Sequence, residues 1–117
     1  MKRWNGWGDE AVTYPLPESA GFYLLDQIGA GQPVNDADFL QVLGSVEPSR
    51  LAPHRLISTS ADERLRHARG QSLPDWVALR SGQMNAFPDG VAYPKSDEDV
   101  RALLAFARRG GVKVIPY

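Results

Sequence analysis

Three observations in the amino-acid sequence predict an α+β fold. The last third reads as a short apolar run, an amphipathic helix and a second short apolar run. Earlier segments carry apolar residues at helical spacing between turn residues. The first 17 residues have no period at all and hold two Trp, two Gly and prolines at 15 and 17, which deny helix hydrogen bonds. The expected order is an irregular arm and helices over residues 1–71, followed over 72–117 by a strand–helix–strand unit that begins a larger α/β domain.

Taken in order, Trp4 and Trp7 are expected to pin the arm by packing, because exposed indoles are costly. A helix is predicted from Glu18 to Ile28, with Phe22, Leu25 and Ile28 on one face and Gly29 as its stop. A second is predicted from Asp36 to Val46, capped by Asn35 with Asp38 at the third position, its stripe being Phe39, Leu40, Leu43 and Val46. Pro48 prevents extension. Ser60 and Glu63 match a capping box opening a polar helix from Ala61 to about Arg69. Ser72 to Gln83 mixes strand and helix formers and reads as a connector.

The end of the chain carries the clearest pattern. Gly90–Pro94 reads as a strand. Ser96 is an N-cap with Asp97, Glu98 and Asp99 at the positive end of the helix dipole. Val100, Leu103, Leu104 and Ala107 form the stripe, Arg108 and Arg109 fill the last turn, and Gly110 is the expected left-handed stop. Val112–Pro116 reads as a second strand, which a helical crossover would make parallel to the first. Ligands of such sheets lie beyond the C-terminal strand ends, here Tyr93-Pro94 and Pro116-Tyr117. A strand running out at the last residue leaves no loop after it, so a truncated domain is expected.

Composition excludes several functions. With no cysteine, there is no disulfide, thiolate catalyst or Cys-based metal site. A formal charge of −1 offers no pull toward nucleic acid or anionic lipid. No apolar run approaches the roughly 20 residues of a membrane span, and no signal peptide follows the basic start. A cytoplasmic protein is the simplest expectation.

Pro88-Asp89-Gly90-Val91-Ala92-Tyr93-Pro94-Lys95-Ser96-Asp97-Glu98-Asp99-Val100 resembles the segment "P-D-x-V-x-x-P-x-S-x-E-x-V" that opens the FAD-binding domain of the vanillyl-alcohol oxidase and para-cresol methylhydroxylase type. Val112–Tyr117 resembles the strand that runs, in that family, into "P-x-G-G-G-T-S". Ser72-Leu73-Pro74-Asp75-Trp76 and Leu79-Arg80 resemble its approach to the domain, and Arg3-Trp4-Asn5-Gly6-Trp7-Gly8 is similar to the opening of alkyldihydroxyacetonephosphate synthase-like proteins. The resemblance implies the N-terminal portion of an FAD-dependent oxidoreductase or synthase-like flavoenzyme, with FAD and a small-molecule substrate as partners. It places Pro116 and Tyr117 on the cofactor edge, assigns no catalytic residue to this chain and leaves the glycine loop outside it. The alternative is a stand-alone α+β interaction module without flavin. An open sheet edge would favour a homo-oligomer.

The remaining signals have plainer readings. His54 and His67 are too far apart for ligand spacing and read as surface or locally bonded. Asp97, Glu98 and Asp99 serve the helix start, and no metal site is expected. Gly110-Gly111 follows a helix and is a stop, not a phosphate loop. Arg64, Arg66 and Arg69 with His67 read as a solvated basic face.

Overall fold

Turn chemistry decides where the helices begin and end. The computed structural model describes residues 3–32 and 36–117. Among the described residues five helices and two short strands follow one another: α1 (Glu18–Ile28), α2 (Phe39–Gly44), β1 (Ile57–Ser58), α3 (Ala61–Arg66), α4 (Leu73–Ser81), β2 (Val91–Ala92) and α5 (Asp97–Gly110). The fold is α+β, as the sequence predicts.

Helix α1 has the predicted bounds, but its apolar face is uncovered: Phe22, Leu25 and Ile28 are all exposed. Helix α2 is shorter than its stripe suggests. Asp36 pairs with Arg80 through contacts of 2.8 and 2.6 Å, and the Ala37 amide donates to the Arg80 carbonyl at 2.7 Å. These bonds hold the preceding backbone outside the helix, so Asp38 becomes the cap and accepts from the Gln41 amide. Asn35, the expected cap, lies outside the described residues.

The segment 72–83 is not a mixed connector. Residues 73–81 form α4, opened by a complete capping box between Ser72 and Asp75 and closed by Gly82 at φ 67°. Conversely, the box expected at Ser60 does not form, because Glu63 turns toward Tyr93. Helix α5 begins at the predicted Ser96 cap, but its left-handed residue is Gly111, at φ 63°, rather than Gly110.

The parallel strand–helix–strand unit is not formed. Strand β2 pairs antiparallel with β1, in the register Ile57 with Ala92 and Ser58 with Val91. Residues 112–117 form no strand. Their composition suits one, but a strand exists only through a ladder, and β2 takes its partner from upstream. Gly90 makes this pairing close: a Cβ there would collide with Ile57 and lie 3.0 Å from Leu51 Cδ1 and 3.2 Å from the Ser58 carbonyl.

The packed centre is small. Val42, Leu65, Leu79 and Ala107 are its buried apolar residues, with Leu65 wholly enclosed. Polar and aromatic ties do much of the joining. Arg64 is 3% exposed and donates from Nε to the Pro88 carbonyl at 2.6 Å and from Nη1 to the Glu47 carbonyl at 2.7 Å. Arg50 forks onto Asp89, and the Ser49 hydroxyl donates to the Asp89 carbonyl at 2.6 Å. Trp4 meets Phe39 edge-on at 5.5 Å, Arg66 covers that Phe39 ring at 5.3 Å, and Trp7 meets Trp76 at 5.5 Å. Trp4 thus packs the arm against α2 as expected, whereas Trp7 touches α4 along one edge and stays 68% exposed.

The outline is extended, 55 × 27 × 26 Å, with a radius of gyration of 18.3 Å. A compact chain of this length has a radius of about 13 Å. The accessible surface is 9090 Å². A closed monomer of this mass exposes about 6,300 Å², so roughly 2,800 Å² is in excess.

A candidate cofactor-edge site and its histidine network

The two residues expected on a cofactor edge, Pro116 and Tyr117, follow α5 and the Gly111 turn. The amides of Gly111 and Val112 both donate to the Ala107 carbonyl, the latter at 2.8 Å, so this glycine pair is a helix stop. Val114, Ile115 and Tyr117 are exposed. Pro116 has no amide hydrogen and residues 112–117 contain no glycine. Residues 112–117 therefore hold no glycine of the kind that lets backbone amides close on a diphosphate.

Tyr117 is anchored by a cluster the sequence did not announce. Its ring lies edge-on to His67, with centroids 4.9 Å apart at 62°. His67 also meets Tyr93, whose ring is 5.8 Å away and whose hydroxyl lies 3.1 Å from Nε2, and the Glu63 carboxylate, whose Oε2 is 4.0 Å from Nδ1. That hydroxyl also donates to Glu63 Oε2 at 2.7 Å. His67 Nδ1 is 2.7 Å from the Glu63 carbonyl oxygen. His67 is thus not a solvated histidine, and the basic face read around it is divided. Arg64 is buried on two carbonyls, and Arg66 pairs with Asp62 at 3.0 Å.

The geometry fixes where protons sit. A carbonyl only accepts, so Nδ1 carries a hydrogen. The Tyr93 hydroxyl has one proton and faces two groups, Nε2 and the Glu63 carboxylate. Both contacts are hydrogen bonds only if one further proton is present, on Nε2 or on the carboxyl group. With neutral imidazole and ionised carboxylate, one of the two contacts sets lone pairs against lone pairs. The hydrogen bond to Glu63 raises the Tyr93 pKa above the ordinary phenol value, with burial and then the charges of Glu63 and Tyr117 adding to it.

His54 shows the opposite arrangement. Its Nδ1 accepts from the Leu56 amide at 3.2 Å, which requires an unprotonated nitrogen, while its ring tilts against Phe106 at 4.8 Å. The groove of about 520 Å³ beside it, lined by Val46, Pro53, Ile57 and Arg64, is no anion site, since Arg64 is engaged by two carbonyls. Among the described residues no group of three metal-ligating side chains occurs.

With this geometry described, comparison with known proteins becomes informative. No protein-family model matches the chain. Alkyldihydroxyacetonephosphate synthase of Dictyostelium discoideum is 28% identical over 110 residues, covering 93% of this chain and 17% of its own length. The Trypanosoma brucei brucei protein of the same name is 24% identical over 149 aligned positions, covering 98% of the chain and 24% of its own length. Protein Rv2250A of Mycobacterium tuberculosis is 31% identical over 104 residues, covering 79% of this chain and 68% of its own length. A solved alkyldihydroxyacetonephosphate synthase superposes with a TM-score of 0.66 at 23% identity, over 99% of this chain and 27% of that one. The fold is that of the corresponding part of this synthase. The chain belongs to the alkyldihydroxyacetonephosphate synthase-like family of FAD-linked oxidases. It spans about a sixth of the first of these relatives.

Proposed function

We propose that the chain is the N-terminal portion of an FAD-dependent flavoenzyme of the synthase-like type, leading into its flavin domain and carrying no catalytic residue itself. FAD, when bound to the whole enzyme, supplies the electron chemistry on a small-molecule substrate. This chain contributes position: the arm is tied to α2 and α4 through its indoles, and Tyr117 rests against His67 after α3, with Pro116 and Tyr117 as the cofactor rim. The observation that carries the reading is the uncovered surface. Roughly 2,800 Å² beyond that of a closed monomer is an interface of obligate size. A chain that matches 17% and 24% of longer relatives has a body for that surface to pack on.

A cytoplasmic address belongs to the same proposal; among the described residues no helix is long and apolar enough to cross a membrane. The test is expression of the complete reading frame containing this region. A yellow protein that releases FAD on denaturation is expected. A folded, colourless protein that does not take up added FAD refutes the reading.

A second reading is a separate small subunit that docks on a partner protein without flavin of its own. The short Mycobacterium relative favours it, being comparable to this chain in length. A chain that elutes as a stable complex with a second polypeptide, and whose own reading frame contains no glycine-rich loop after Tyr117, supports it over the first.

A further inference from the structure

We infer that Glu63, His67 and Tyr93 form a proton-dependent latch that holds the Tyr117 ring and so sets the course of residues 112–117. The latch stands on the hydrogen-bond geometry alone; its consequence for a cofactor rests on the flavin reading above.

Three elements converge on the imidazole. The α3 helix supplies Glu63, whose carbonyl fixes Nδ1–H and whose carboxylate accepts a hydrogen bond from the Tyr93 hydroxyl. The end of β2 is followed by Tyr93, whose oxygen faces Nε2. The chain after α5 supplies Tyr117, edge-on to the imidazole. The charged groups around the cluster are Glu63 and, beyond it, Arg66 with its partner Asp62 and with Glu10 of the N-terminal arm, whose charge also acts on Arg66.

With a proton on Nε2, both contacts of the Tyr93 hydroxyl are hydrogen bonds, and the charged imidazolium stands with its centroid 4.9 Å from that of the Tyr117 ring at an interplanar angle of 62°. Loss of that proton removes the cation and leaves Tyr93 one hydrogen for two acceptors. Either Tyr93 turns fully to Glu63 or it turns to His67, and the ring that Tyr117 rests on shifts with it. His54, held by an amide donor, is built the other way and serves as an internal reference.

The experiment places a ¹³C-labelled tyrosine at position 117 of the full chain and follows its ring signals by NMR between pH 5 and 8, alongside the Cε1–H signals of both histidines. The Tyr117 signals are expected to move in one step sharing the midpoint of His67 and not that of His54. His67→Gln should abolish the step, and Tyr93→Phe should cut it by at least half, with unchanged circular dichroism in both. Tyr117 signals that ignore pH while His67 titrates, or a step that survives His67→Gln, overturn the latch. No flavin enters this measurement. A failed titration therefore leaves the flavin reading standing, and a colourless holoprotein leaves a positive titration standing.

Discussion

Replacing Arg64 tests how a chain with so small an apolar centre stays folded. Arg64 is 3% exposed, and its guanidinium bridges the Pro88 and Glu47 carbonyls at 2.6 and 2.7 Å, joining the approach to β2 with the connector after α2. Hydrogen bonds from a charged donor contribute about 1.5–3 kcal/mol each. A lysine ammonium is a point donor and cannot span two carbonyls as a planar fork does. Arg64→Lys should therefore lose about one bond, close to 2 kcal/mol. At about 4 °C per kcal/mol for a chain of this size, that is a fall of about 8 °C in Tm. Arg64→Leu recovers the cost of burying a charge but strands both carbonyls, and the loss of about 4 kcal/mol takes most of the stability a small domain has. Thermal and urea unfolding followed by far-ultraviolet circular dichroism measures both. Arg64→Lys within about 0.5 kcal/mol of the native protein would show that these carbonyls do not depend on the fork and would refute the reasoning.

Further outcomes follow from the same contacts. Gly90→Ala should destabilise by about 1–3 kcal/mol, because its methyl collides with Ile57 and crowds Leu51; a double-mutant cycle with Ile57→Val should recover part of the loss, and strictly additive values would place the strain elsewhere. The raised Tyr93 pKa means that its bond to Glu63 contributes fully below the pKa of an unfolded tyrosine and is lost as pH rises through the folded value. Absorbance at alkaline pH should show one tyrosine ionising late, and Glu63→Gln should bring it back; an unaltered curve contradicts the contact. Asp89 is held below the ordinary carboxylate value by hydrogen bonds from Arg50. Its contribution is present above the unfolded Asp pKa and lost as pH falls through the folded one. Asp89→Asn should flatten the acid side of the stability curve, while an undiminished acid slope would exclude the pair as its source. Ser72→Ala should cost about 1 kcal/mol by removing the cap of α4, measured by urea midpoint.

Local chemistry was legible and distant pairing was not. Helix α5 could be read because Ser96, three acids and an apolar stripe all agree over 14 residues. The bounds of α1 followed from Pro17 and Gly29 in the same way. Helix α4 was missed because its apolar residues have no clear period, although Ser72 and Asp75 three apart, with Pro74 in the first turn, were a readable start. Residues 112–117 have the composition of a strand, but composition does not name a partner, and β2 found its own upstream, Ile57 opposite Ala92 and Ser58 opposite Val91. The Glu63–His67–Tyr93–Tyr117 cluster escaped for the same reason. His67 and Glu63 look like an ordinary i, i+4 pair, and only the β1–β2 pairing brings Tyr93 over them.

That pairing also explains why the family-like segment around Pro88 matters structurally. The carbonyl of Pro88 receives Arg64, the carboxylate and carbonyl of Asp89 receive Arg50 and Ser49, and Gly90 lets the backbone reach Ile57. Three consecutive residues thus dock β2 against β1, and Tyr93, three positions beyond Gly90, lands on His67. The position of Tyr117 then depends on a relay that begins at Arg64, through Pro88 and Tyr93 to His67. If the relay holds, Gly90→Ala should disturb the Tyr117 ring signals as well as global stability, although the two residues are 27 positions apart in sequence.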